Sequence, residues 1–145
     1  MKIECYETGE PSYVSHHQIK LAMGELIAIE KPLVDGEIRI IFIDDEYCKN
    51  LNRKYLEHDY TTDVISFHLE SSDHLLEGEV YVNVDQAQKQ ASHYDVDVEE
   101  ELWRLIIHGT LHLLGDNDST SSERDSMRKK ENEYLNMFEI SRKEL

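Results

Sequence analysis

The chain has 145 residues, a length that fits one domain built around one core. Charged residues make up 32% and hydrophobic residues 39%, an ordinary soluble balance, and no apolar run approaches the roughly 18 residues of a membrane span. The formal charge is −16, from 15 basic and 31 acidic residues. It argues against nonspecific nucleic-acid binding, which depends on Lys and Arg neutralising phosphates.

A local basic site remains compatible with this charge, because screening confines charge effects to about 8–10 Å. The opening residues MKIECYETGEP contain no apolar signal core, so a cytoplasmic location is expected. Cys5 and Cys48 fit no metal-ligand spacing and read as reduced, structural thiols.

In chain order, residues 2–7 alternate as a short strand. Ser15 with Gln18 forms a capping-box pattern. The helix it opens runs to about Glu30, with Ile19, Ala22, Met23, Leu26 and Ile27 on one face. Glu37–Ile43 is β-branched and aromatic, a strand buried on both faces. A helix capped by Asp44 or Asp45 follows to about Leu56, with Cys48, Leu51 and Tyr55 inward. Residues 57–61 read as a polar loop, Asp63–Leu69 as a third strand, and the segment ESSDHLLEG as a second loop. Glu79–Val84 alternates cleanly as a fourth strand. Asp85 with Gln88 caps a short helix through about His93. Asp97 with Glu100 opens a largely apolar helix, which should be the buried centre of the domain. Thr120 with Glu123 caps a last helix whose stripe is Met127, Tyr134, Leu135 and Phe138. The expected architecture is α+β: a single domain over 1–145, with a mixed sheet of about four strands and helices packed against it.

The central helix carries the chemistry. His108 and His112 are four residues apart, so both imidazoles share one helix face, one turn apart. Gly115 suits a left-handed helix terminus and lets the chain fold back, bringing Asp118 to the same point. The pattern His-x3-His-x2-Gly-x2-Asp has the spacing of metzincin-type zinc sites, with Asp in the last place. Two nitrogens and one carboxylate oxygen, with a fourth position open, make a catalytic-type site. Zinc proteases use a Glu directly after the first His as general base. Here that position is Gly109, which argues against a protease and is expected to leave room beside the metal for a bulky substrate.

HGTLHLLG (108–115), TDVISF (62–67), LNRKYL (51–56) and GEVYVNV (78–84) together resemble the YbeY family of bacterial zinc metalloproteins, over about residues 38–137. The resemblance implies one α+β domain, one zinc ion per chain, and a single-strand-directed endoribonuclease of ribosomal RNA maturation and ribosome quality control. It implies the ribosome or its assembly proteins as partners. His108 and His112 match the first two zinc ligands, and Asp118 stands where the third ligand is commonly His. The family usually has an arginine at the place of Leu56, and a proline at the place of Thr61. Candidate RNA contacts are Lys49, Arg53 and Lys54 on the second helix, with Thr62 and Ser66 around the third strand. Tyr55, Tyr60 and Phe67 are candidates for base stacking or for core packing. Two other readings stand beside the nuclease. One is a metal-stabilised ribosome-assembly factor with little catalysis, favoured by Leu56 and the acidic surface. The other is a metal-dependent hydrolase or protease of another substrate.

Overall fold

A computed structural model describes residues 1–55 and 61–140. The position of Leu56 and residues 57–60 of the expected polar loop, Tyr60 among them, lie outside the described residues. The elements run β1 (Lys2–Glu7), α1 (His16–Glu30), β2 (Asp35–Ile43), α2 (Asp45–Tyr55), β3 (Val64–Ser71), β4 (Leu75–Asn83), α3 (Val84–Tyr94), α4 (Val98–Leu113) and α5 (Ser121–Met137). This is the expected order. The sheet order is β1-β2-β4-β3. β1 and β4 each pair in parallel with β2, and β3 pairs antiparallel with β4. Parallel neighbours cannot be joined by a tight turn, so α1 carries the crossover from β1 to β2. The fold is α+β with a mixed sheet.

One face of the sheet carries the main core. Ile38, Ile40 and Phe42 of β2 and Val80 and Val82 of β4 pack with Met23 and Leu26 of α1. Leu102, Trp103, Ile106, Ile107 and Leu111 of α4 join the same cluster. Trp103 and Ile106 are wholly buried, which makes α4 the central helix its apolar run predicts. Strand residues alternate between faces, so Ile41, Ile43 and Ile65 face the other way. They form a smaller cluster with Cys48 and Leu51 of α2. β2 is therefore buried on both faces at its C-terminal end. Tyr55 does not point inward as expected: it is 57% exposed. The buried position near that end of α2 is Asn52.

The helix starts are set by side chains. Ser15 accepts from the backbone of Gln18 at 3.2 Å. Thr120 and Glu123 form a complete capping box. α3 starts earlier than expected, because the buried Asn83 accepts from the backbone N–H groups of Asp85 and Gln86 and takes the capping role assigned to Asp85. The Asp85 carboxylate instead accepts from the Asp45 backbone at 2.9 Å. Asp97 occupies the N-cap position of α4 without a side-chain capping bond. The segment ESSDHLLEG is mostly hairpin. β3 continues to Ser71, β4 begins at Leu75, and only 72–74 turn. Backbone pairing through exposed, polar residues leaves no alternation to read. Cys5 and Cys48 are free thiols, and burial pushes the Cys5 thiol up to about 11.

Two glycines set how closely α4 lies on the sheet. A Cβ on Gly109 would run into Val80 Cγ1, and would lie 3.1 Å from Val64 Cγ2 and 3.2 Å from Ser66 Oγ. A Cβ on Gly78 would meet Leu113 Cδ2 at 2.9 Å. Gly109 thus faces the strands, so it does not open space beside the metal cluster; it admits the helix to the sheet. Gly109→Ala is expected to destabilise the fold by about 1–3 kcal/mol through overpacking. The gain in helix propensity, about 1 kcal/mol, offsets only part of this. A urea melt of the variant beside the parent chain checks it.

Candidate metal centre

α4 brings His108 and His112 to one face, and its C-terminus folds the chain back. Gly115 has φ +106, a left-handed conformation natural to glycine. The Gly115 N–H donates to the His112 carbonyl at 3.0 Å, and the Asp116 N–H to the Leu111 carbonyl at 3.0 Å. This is a Schellman closure. It places the Asp116 carbonyl 2.9 Å from His112 Nδ1, which donates to it and leaves Nε2 for a ligand. The next residues are held from α5. Glu123 Oε1 accepts from the Ser119 and Thr120 N–H groups, and Arg124 donates to the carbonyls of Asp118 and Ser119.

The result is three converging donors. His108 Nε2 and His112 Nε2 are 2.9 Å apart. Asp118 Oδ2 lies 3.3 Å from the first and 3.2 Å from the second. A tetrahedral zinc ion with bonds of about 2.0–2.1 Å has ligand–ligand edges of about 3.3–3.4 Å. The three atoms therefore stand close to three corners of such a tetrahedron. Among the described residues they are the group able to hold a metal ion. Three protein donors, rather than the four of a closed structural site, leave a corner for a reactant.

Glu131 supports this centre and carries no signature in a short motif. Its Oε2 accepts from His108 Nδ1 at 2.6 Å, and its Oε1 accepts from Arg104 Nη1 at 3.0 Å. Burial disfavours the charged His108 ring. The Glu131 bond and charge, with Asp118 and Asp63 adding, outweigh it and raise the His108 pKa above the ordinary value. A carboxylate behind a ligating histidine fixes its tautomer and strengthens it as a donor. The signal was present in α5: Glu131 interrupts the stripe between Met127 and Tyr134 with an acid at core spacing.

A cavity of about 280 Å³ adjoins the cluster, lined by His108 and Asp118 together with Asp63, Glu101, Arg124 and Arg128. Glu101 is buried, and desolvation raises its carboxyl pKa. None of the expected RNA contacts lines this cavity. Lys49, Arg53 and Lys54 are exposed on α2. Lys54 lies 5.1 Å over the Tyr55 ring and lines a larger cavity of about 510 Å³ with Tyr47, Phe67 and Tyr81. That cavity belongs to the opposite sheet face and contains no cluster of metal donors among the described residues. Ser66 spends its hydroxyl on the Gly109 carbonyl at 2.9 Å, tying β3 to α4. The Thr62 carbonyl accepts from Asn83 Nδ2 at 3.0 Å, which serves the strand start.

A second network braces the turn between α4 and α5. Glu30 accepts from Tyr134 at 2.6 Å and from Lys130 at 2.8 Å, and Lys130 also reaches Asp116 at 2.9 Å. Burial alone would raise the Glu30 pKa, but the Lys130 and Tyr134 bonds hold it below the ordinary value. Its stabilising effect is therefore present above the unfolded-state value and is lost as pH falls through the folded one. Glu30→Gln should cost about 1.5–3 kcal/mol at pH 7. Urea melts at pH 7 and pH 3 should show the gap closing at the lower pH.

Comparison with known proteins adds the family. The family pattern described as "Endoribonuclease YbeY" matches residues 9–139. An "Endoribonuclease YbeY" of Salinibacter ruber is 36% identical over 146 aligned positions, covering 90% of this chain and 93% of that protein. One of Christiangramia forsetii is 40% identical over 105 residues, covering 72% and 73%. One of Bacteroides thetaiotaomicron is 42% identical over 102, covering 70% and 74%. The solution structure of TM1509 from Thermotoga maritima shares the fold, with a TM-score of 0.61 at 24% identity over 99% of both chains.

Proposed function

The chain belongs to the endoribonuclease YbeY family, and from that premise we propose that it is a zinc-dependent endoribonuclease cleaving single-stranded ribosomal RNA during ribosome maturation and quality control. The observation that carries the metal dependence is the convergence of His108, His112 and Asp118 on one point, backed by Glu131. In this reading one zinc ion binds per chain, residues 1–145 act as one metalloprotein domain, and the substrate is met in the cytoplasm at the ribosome or its assembly proteins. No helix among the described residues is long and apolar enough to cross a membrane.

Phosphodiester cleavage needs positive charge on a phosphoryl oxygen and an activated nucleophile, and an open-site zinc ion supplies both. The protein supplies the rest. His108 and His112 present Nε2 because Glu131 and the Asp116 carbonyl hold their Nδ1 protons. Asp118 contributes a negative charge, and Arg124 fixes its backbone.

The test is cleavage of a single-stranded ribosomal RNA fragment and its duplex, with and without chelator. Chelator-sensitive cleavage of the single strand alone supports the reading. The charge of −16 favours a second reading, an assembly factor with little catalysis, delivered to the ribosome by partner proteins. Bound metal with no cleavage of either RNA would favour it.

A further inference from the structure

The acidity of the chain poses a problem for its substrate. An RNA strand approaching a protein of charge −16 needs a local positive surface where the reaction occurs. The cations of α2 do not line the cavity beside the metal ligands. Those of α5 do. Arg124 and Arg128 are one helical turn apart, and both line that cavity of about 280 Å³ with His108 and Asp118.

The charges around this cavity are unequally committed. Arg104 is held by Glu131 at 3.0 Å and by Asn132 at 2.8 Å. Lys130 is held by Glu30 and Asp116. Arg124 donates only to two backbone carbonyls, so its charge has no carboxylate partner among the described residues. Arg128 makes no hydrogen bond or ion pair with the described residues; what it feels is the through-space charge of Glu101. Three of the four acids of the wall are spent elsewhere. Glu131 is shared between Arg104 and His108, Asp63 accepts from Gln90 at 3.1 Å, and Asp118 belongs to the metal cluster. Two guanidinium groups with donors to spare thus face a cavity in which Glu131, Asp63 and Asp118 are already engaged, and the remaining acid, the buried Glu101, acts on Arg128 only through space. A guanidinium is the side chain that matches a phosphate with paired N–H donors.

We propose that Arg128 and Arg124 form a phosphodiester-binding subsite beside the His108–His112–Asp118 cluster, taking a backbone phosphate of the single-stranded RNA. The proposal rests on the reading of that cluster as the reaction centre. Arg128 is the principal contact, and Arg124 adds charge while it holds the Asp118 loop. This is how an acidic chain can admit a polyanion at one place and repel it elsewhere.

The experiment uses the zinc-loaded full chain. Cleavage of a single-stranded RNA is measured for the parent, Arg128→Ala, Arg128→Lys and, as a control for charge loss on the same helix, Lys129→Ala, whose side chain is exposed outside the cavity. Binding of inorganic phosphate is measured on the same samples by phosphorus NMR, and bound metal is counted. Expected for Arg128→Ala is a fall in kcat/KM of roughly tenfold or more carried mainly by KM, with metal content unchanged. The log–log salt dependence should flatten by about one unit. Arg128→Lys should recover part of the loss, Lys129→Ala should behave as the parent, and phosphate binding should weaken with Arg128→Ala. A folded, metal-loaded Arg128→Ala chain that binds phosphate and cleaves RNA as the parent does overturns the proposal. Weakened phosphate binding with unchanged cleavage overturns the assignment of the subsite to the RNA strand. If the parent cleaves no RNA, the nuclease reading fails by itself, and the phosphate measurement still decides whether the subsite exists.

Discussion

His112→Ala is expected to abolish metal binding and reduce RNA cleavage to background while the chain stays folded. Removing His112 Nε2 leaves His108 and Asp118, two donors where the site presents three. Loss of a partner behind a ligand typically costs 10–100-fold in metal affinity or activity, so loss of a ligand costs more. The fold should tolerate the change. The His112 side chain is 27% exposed, and its structural bond to the Asp116 carbonyl contributes about 1 kcal/mol. Far-UV circular dichroism and metal analysis on one sample separate loss of the site from loss of the fold. An unfolded variant would show that this turn matters more to stability than its contacts indicate.

Glu131→Ala is expected to harm both stability and the site. The Glu131 side chain is 6% exposed and accepts from two donors, the Arg104 guanidinium at 3.0 Å and the His108 ring Nδ1–H at 2.6 Å. Removing it leaves the Arg104 guanidinium, whose side chain is only 15% exposed, with the neutral Asn132 Oδ1 in place of a carboxylate. Breaking a buried ion pair from one side costs about 3–5 kcal/mol, far more than the pair itself contributes. The His108 ring also loses the acceptor that fixes its tautomer, so metal affinity should fall by about 10–100-fold. Glu131→Gln keeps the volume and one acceptor oxygen. It should restore much of the stability but less of the affinity, because one amide oxygen cannot accept from both Arg104 and His108 at once. Melting curves with metal titrations of the two variants check this. Equal affinity in parent and Glu131→Ala would show that the His108 orientation owes nothing to Glu131.

The sequence was most legible where local chemistry decides the structure. The Thr120–Glu123 capping box, the start of α1 at Ser15 and the apolar run of α4 all depend on neighbours within a turn or two. The spacing of His108, His112, Gly115 and Asp118 was legible for the same reason. A helix face and one left-handed glycine suffice to gather three donors. Long-range partners were not legible in this way. Asn83 caps α3 because burial beside Asp45 and Thr62 directs its amide there. Gly109 is small because Val80 and Ser66 lie beneath it, and neither is near it in sequence. Tyr55 fits the inward stripe of α2 by spacing, yet its ring meets only the edge of Phe67, beside an open cavity, and stays 57% exposed. The cations beside the metal cluster come from α4 and α5, whereas the family-like motif LNRKYL lies on α2. Arg124 and Arg128 lie on the same face as Glu131, so a helical wheel drawn with Glu131 as a functional position would have found them.

A metal titration of chelator-stripped protein, read simultaneously by bound metal and by cleavage of single-stranded ribosomal RNA, tests the central claim most directly. Cleavage is expected to be absent without metal, to rise with zinc and to saturate at one ion per chain, with no response in His112→Ala. Full cleavage in the stripped chain, or zinc-restored cleavage in His112→Ala equal to the parent, would contradict it.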